Sequence, residues 1–242
     1  MTSEDGMRSD DPSSDHDRSI DNLKQHVAAM ADLAVHMVED GTRALVDRDP
    51  ILAAAVVARD PALDKLDVEI EAESIRLMAI IQPEGPDLRT LGATLKIANS
   101  IDRVGRLGYD LARSLTPGPD TSDTTPRELL RKMDARARAM VVQAIHAFVH
   151  NDAEEAKRVF AMDDEVDALH VEVERRLIDL LQAGGLSVDR LAHELLAARH
   201  LERVGDNACK IAEKAIYAIS GERRTEYFPA LAHTTPSGRP AP

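Results

Sequence analysis

An all-α fold, built from two tandem copies of a three-helix bundle and therefore from six long helices, is what this 242-residue sequence predicts. Three observations lead there. Aromatic residues make up only 2% of the chain and Trp is absent, a composition that suits long helices packed through small and aliphatic side chains and suits β-sandwiches poorly. Apolar residues recur at steps of three and four rather than two. The second half of the chain also repeats the first at a nearly constant offset.

In chain order, residues 1–19 form a polar, acidic leader without the apolar stretch of a signal peptide, expected to be disordered. From residue 20, Leu23, Val27, Met30, Leu33, Ala34, Met37 and Leu45 trace one amphipathic helix. Asp49 then caps a second, with Pro50 at its first position; it is expected to reach about Ile81, kinked at Pro61, and to stop before Pro83. A third runs from about Asp87 to Leu115, so the first unit spans 20–115. Residues 116–126, rich in Pro, Thr and Asp, read as a linker. The second unit, 127–221, repeats the order: a helix to His150, one after the cap Asp152 ending near Gly184 and Gly185, and one from Ser187 to about Ser220. Residues 222–242, carrying Pro229, Pro236, Pro240 and Pro242, read as a flexible tail.

A shift of 103 residues superposes Met30 on Met133, Met37 on Met140, Asp49 on Asp152, Asp60 on Asp163, Asp64 on Asp167 and Glu71 on Glu174. After the second helix the shift becomes 100, and Arg103-Val104-Gly105 falls on Arg203-Val204-Gly205.

With 30 basic against 43 acidic residues the net charge is −13, and no basic run with interleaved aromatics offsets it, so nucleic acid is not expected as a partner. No stretch approaches 18 uncharged apolar residues, and a cytoplasmic location is expected. Cys209 is the sole cysteine, leaving oxygen and imidazole as the donors for any metal.

Glu202 and Asp206 stand four apart on one helical face, with Gly205 in the turn between them, while Leu201, Val204, Ala208 and Ile211 occupy the opposite face. Like charges at that spacing cost about 0.2–0.5 kcal/mol and an interior Gly about 1 kcal/mol relative to Ala. A cation bridging the carboxylates would offset the first cost. For spacing alone the commoner arrangement is a solvated acidic patch with Arg203 and Lys210 as neighbours.

The stretch from Ala198 to Glu213, including His200-Leu201-Glu202-Arg203-Val204-Gly205-Asp206-Asn207, together with Gln82-Pro83, Asp87-Leu88-Arg89, Leu95-Lys96-Ile97 and Ile101-Asp102-Arg103-Val104-Gly105, resembles the repeated signature of the PhoU family. The resemblance covers roughly residues 21–222. It implies a cytoplasmic regulator of phosphate homeostasis, acting as a homodimer that restrains high-affinity phosphate uptake and starvation signalling. Its implied partners are the ATPase subunit of the phosphate ABC transporter and a sensor histidine kinase, with membrane association only through them. It also implies iron or zinc on the acidic motif, for which Glu202 and Asp206 match fully. In the first unit Asp102 matches, but Arg106 stands at the second acidic position and Asp110 follows one turn later. Arg106 is expected to supply the positive charge that a metal supplies elsewhere, leaving the second unit as the better site. Asp163, Asp167 and Glu174, on the neighbouring helix, complete the candidate metal ligands; His170 reads as an exposed polar position.

Two alternatives remain. A ferritin-like di-iron enzyme needs Glu-x-x-His on two helices, and this chain contains none; it also lacks a P-loop, a Gly-x-Ser-x-Gly and a Cys-centred nucleophile, so no catalysis is expected. A metal-free helical scaffold that binds another protein through its acidic faces stays open.

Overall fold

A computed structural model describes residues 12–115 and 125–222. Seven helical segments follow one another: α1 (Pro12–Asp47), α2 (Pro50–Val57), α3 (Asp60–Ile81), α4 (Gly85–Arg113), α5 (Thr125–His150), α6 (Ala153–Gln182) and α7 (Val188–Ser220). All the regular structure among the described residues is helical. The helix expected from residue 20 starts at Pro12, inside the stretch read as a disordered leader. Most of the linker and nearly all of the tail lie outside the described residues.

Both units turn by the same device. Arg48 (φ 57°) and Asn151 (φ 56°), equivalent under the 103-residue shift, adopt left-handed backbone at the ends of α1 and α5. The next residue in each case, Asp49 or Asp152, donates its N–H back to Ala44 or Ala147 at 2.9 Å, which closes the helix end. The same two aspartates then cap the following helix. Asp49 Oδ1 accepts from Ile51 and Leu52 at 2.9 and 3.0 Å, and Asp152 Oδ1 accepts from Glu155 at 2.8 Å.

The units differ at the expected kink. Pro61 has no N–H to continue the helical ladder, and the chain breaks at Ala58 and Arg59 into α2 and α3. Asp164 holds the equivalent place in α6, which runs unbroken.

Within the first unit α1, α3 and α4 pack together, and within the second α5, α6 and α7. The units are not separate bodies: α4 also packs on α7 and α1 on α5, and one cluster of buried apolar side chains runs through both. The repeat-related pairs Met30 and Met133, and Met37 and Met140, are all fully buried in it. Close approach is permitted by glycine. A Cβ on Gly108 would stand 2.4 Å from the backbone carbon of Met37, so α4 crosses α1 nearly backbone to backbone there. A buried polar tie joins the units: Thr42 Oγ1 donates to Asp134 Oδ1 (3.2 Å), and Arg138 bridges Asp134 (3.0 Å) and Glu39 (3.4 Å).

Candidate functional site

The acidic motif falls on α4 and α7, whose carboxylates face α3 and α6 across the outer seam of each unit. The helical repeat places Asp102 and Arg106 on successive turns of α4, and Asp60 and Asp64 on successive turns of α3.

In the first unit the arginine fills the middle of an acidic group. Arg106 Nε donates to Asp102 at 3.0 Å, one terminal nitrogen donates to Asp64 at 2.6 Å, and the other lies 3.8 Å from Asp60. The Asp102 hydrogen bond is the main reason why the guanidinium holds its proton above the usual arginine range. Asp67 borders the same group. Its carboxyl is raised from its ordinary value, first by desolvation and then by Asp102, Glu71 and Asp64, with Arg106 opposing. Asp110 does not join them. Burial lowers the pKa of His200 on α7, and the field of Asp110 opposes that shift. A further turn of α4 separates Asp110 from Arg106 and carries it toward His200 of α7.

The second unit has the same architecture with the cation removed. Asp206 stands where Arg106 stood, and Glu202 replaces Asp102. Asp163 on α6 is raised from its ordinary carboxylate value by desolvation, then by Asp167 and by Asp206; a hydrogen bond from Cys209 opposes the shift. The structure thus gathers Asp163, Asp167 and Asp206 into one field of like charge. Gly205 lets Asp163 approach the α7 backbone, since a Cβ there would stand 3.1 Å from its Oδ1. Glu202 has one oxygen bonded by Arg199, while Oε2 is buried without a hydrogen-bond partner. Further along α6, Glu174 Oε1 lies 3.7 Å from His170 Nε2. With its side chain 16% exposed, His170 is half-buried, not the exposed position expected, because it sits at the edge of the α6 face that packs on α7.

Among the described residues no three His, Cys, Asp or Glu side chains stand arranged to hold one metal ion. The donors of the second unit nevertheless fit iron or zinc in kind: several carboxylates, a nearby imidazole and a buried carboxylate oxygen that lacks a donor. Asp167 and Asp206 are exposed. The first unit does not fit, because a guanidinium already occupies the centre.

Three contributors escaped the sequence reading. Asp60 and Asp64 were visible as repeat partners of Asp163 and Asp167, but only the packing of α3 on α4 shows that Arg106 reaches them. Cys209, one turn past Asp206 and two past Glu202, gave no signal beyond being the lone cysteine.

The chain matches the PhoU domain twice, over residues 27–115 and 130–215. It is 32% identical over 213 residues to the phosphate-specific transport system accessory protein PhoU homolog of Caulobacter vibrioides (strain NA1000 / CB15N), covering 87% of this chain and 92% of that one. The similarly named protein of Rhizobium meliloti (strain 1021) is 30% identical, with 85% and 87% covered. The crystal structure of PhoU from Pseudomonas aeruginosa superposes with a TM-score of 0.76 at 28% identity, over 85% of this chain and 99% of that one. The phosphate transport system regulatory protein PhoU from Streptococcus pneumoniae gives 0.78 at 22% identity, with 86% and 98% covered, and supports the fold.

Proposed function

The chain belongs to the PhoU family, and from that premise we propose that it is an accessory regulator of phosphate transport that restrains high-affinity uptake and phosphate-starvation signalling. The observation that carries this reading is that both three-helix units match the PhoU domain and that the chain spans about nine-tenths of its relatives' length. The relatives are named as accessory proteins of phosphate-specific transport systems. Regulation in this reading is exerted by protein contact and not by turnover. Its partners are the ATPase subunit of a phosphate ABC transporter and a sensor histidine kinase, with a second copy of the chain completing a homodimer.

Support for contact surfaces comes from the outer helices. Val68 and Ile75 on α3 are 62% and 53% exposed, and their repeat equivalents Val171 and Ile178 on α6 are 62% and 46% exposed. These paired apolar side chains stand on the same faces as the acidic groups, at positions open to a partner protein. None of the described helices is long and apolar enough to cross a membrane.

The acidic seams extend the proposal. Asp163, Asp167, Glu202 and Asp206, with Glu174 at the margin, would hold iron or zinc in the second unit, and Arg106 would replace that ion in the first. A bound ion would supply positive charge that offsets the repulsion among the carboxylates and pins α6 to α7. In each unit the positive centre then sets the shape of the seam beside the exposed apolar stripe.

Deletion of the gene in its host tests the regulatory reading. Phosphate uptake and starvation-gene expression should rise under phosphate-replete growth and return to normal on complementation. Unchanged uptake and unchanged signalling would refute it.

A further inference from the structure

A pair of histidines stands outside the acidic seams. His146 and His150 lie one turn apart on α5, with ring centroids 4.2 Å apart and the rings tilted by 49°. His146 Nδ1 is 2.6 Å from Glu155 Oε2, a contact in which the imidazole N–H donates to the carboxylate. That bond leaves Nε2 with a lone pair directed elsewhere. Glu155 is itself held: its N–H donates to the cap Asp152 at 2.8 Å, and its carbonyl accepts from Gln143 at 3.2 Å.

A carboxylate that fixes the tautomer of an imidazole is the usual outer support of a metal-binding histidine. Two histidines four residues apart on one helical face are the ligand spacing that a helix offers a transition-metal ion. Both rings line a groove of about 280 Å³ between α1 and α5, with Gln25 and Asp32 of α1 contributing to its wall. The side chain of His146 is 55% exposed, so an ion can reach it from solvent. The pair is not a relic of the duplication, because Arg43 and Asp47 hold the equivalent positions in the first unit.

We propose that His146 and His150 form a binding site for a divalent transition-metal cation in the groove between α1 and α5. The ion takes two imidazole nitrogens from α5, and water completes its coordination. Asp32 places a negative charge on the opposite wall, and Glu155 orients His146. Two imidazole donors favour copper, nickel and zinc over magnesium or calcium. Unlike the acidic seam, this site draws its wall from both units, so occupancy adds a link between α1 and α5.

Zinc titration of the full chain, followed by imidazole proton–nitrogen correlation spectra, tests the proposal. The acidic seam is silenced throughout by Glu202→Gln and Asp206→Asn. The expected result is that one equivalent of zinc shifts the ring resonances of His146 and His150 before those of any other histidine. His150→Ala should then weaken binding at least tenfold, and His193→Ala should leave it unchanged. Both His146 and His150 are exposed, so far-ultraviolet dichroism of the variants should match the parent. Zinc that shifts other histidines first, or affinity unaltered by His146→Ala and His150→Ala, would overturn the site.

Discussion

Arg106 shows how one residue changes the chemistry of a seam. Its guanidinium meets Asp102, Asp64 and Asp60, yet the side chain is 50% exposed, so solvent screens the gain. Arg106→Ala should lower stability to urea by about 1 kcal/mol or less, within the range of exposed ion pairs and small networks. Arg106→Asp should have a different signature: the first unit then carries the acidic pair of the second, so in a background of Glu202→Gln, Asp206→Asn, His146→Ala and His150→Ala zinc should raise the urea midpoint of the chain with this substitution and leave it unchanged without it. Asp134 offers a pH test at the same scale. Its carboxyl is raised from its ordinary 3.8, by burial above all, although Arg138 and Thr42 pull the other way. A carboxyl raised on folding helps stability fully below its ordinary value, and that help is lost as pH rises through the raised value. Asp134→Asn should therefore raise the thermal midpoint at neutral pH and have little effect near pH 3. A loss at neutral pH that vanishes in acid would mean that the Arg138 pair outweighs burial.

At the level of the helix, two glycines of α4 should respond in opposite directions. Gly108 crosses α1 where the contacting atoms are backbone, at 2.4–2.6 Å from a built Cβ, and backbone cannot swing aside. Gly108→Ala should cost toward the upper end of the about 1–3 kcal/mol seen for overpacked cores, read as a lower denaturation midpoint. Nothing lies within 4 Å of a Cβ at Gly92, so Gly92→Ala should stabilise by about 0.5–1 kcal/mol through helix propensity alone. Most helix boundaries were legible because their causes are local: Asp49, Asp152 and Ser187 accept from the first-turn N–H groups, and Gly221 ends α7 in left-handed backbone. Pro61 signalled a kink, and the same missing N–H produces a full break. The early start of α1 was not legible, since residues 12–19 are polar and carry no apolar period to announce a helix.

Across the whole molecule, the duplication was legible from the 103- and 100-residue shifts, but the joining of the two units was not. An apolar stripe shows which face is buried without naming its partner, and α1 packs on α5 as well as on its own unit. The same limit governed the site. Spacing along α7 picked out Glu202 and Asp206, and the arginine at position 106 marked the first unit as different. That Arg106 reaches α3, that Asp110 turns toward α7, and that His170 is half-buried depend on how neighbouring helices rotate. What emerges is a duplicated bundle with two acidic seams, one holding a guanidinium at its centre and one without it.

The most direct test of that asymmetry is the iron and zinc content of the full chain, measured by elemental analysis after loading and dialysis. His146→Ala and His150→Ala in every sample keep the α5 pair out of the reading. Metal bound by this parent should be lost with Asp206→Asn and retained with Asp102→Asn. A parent that holds no metal, or equal losses from the two substitutions, would contradict the account.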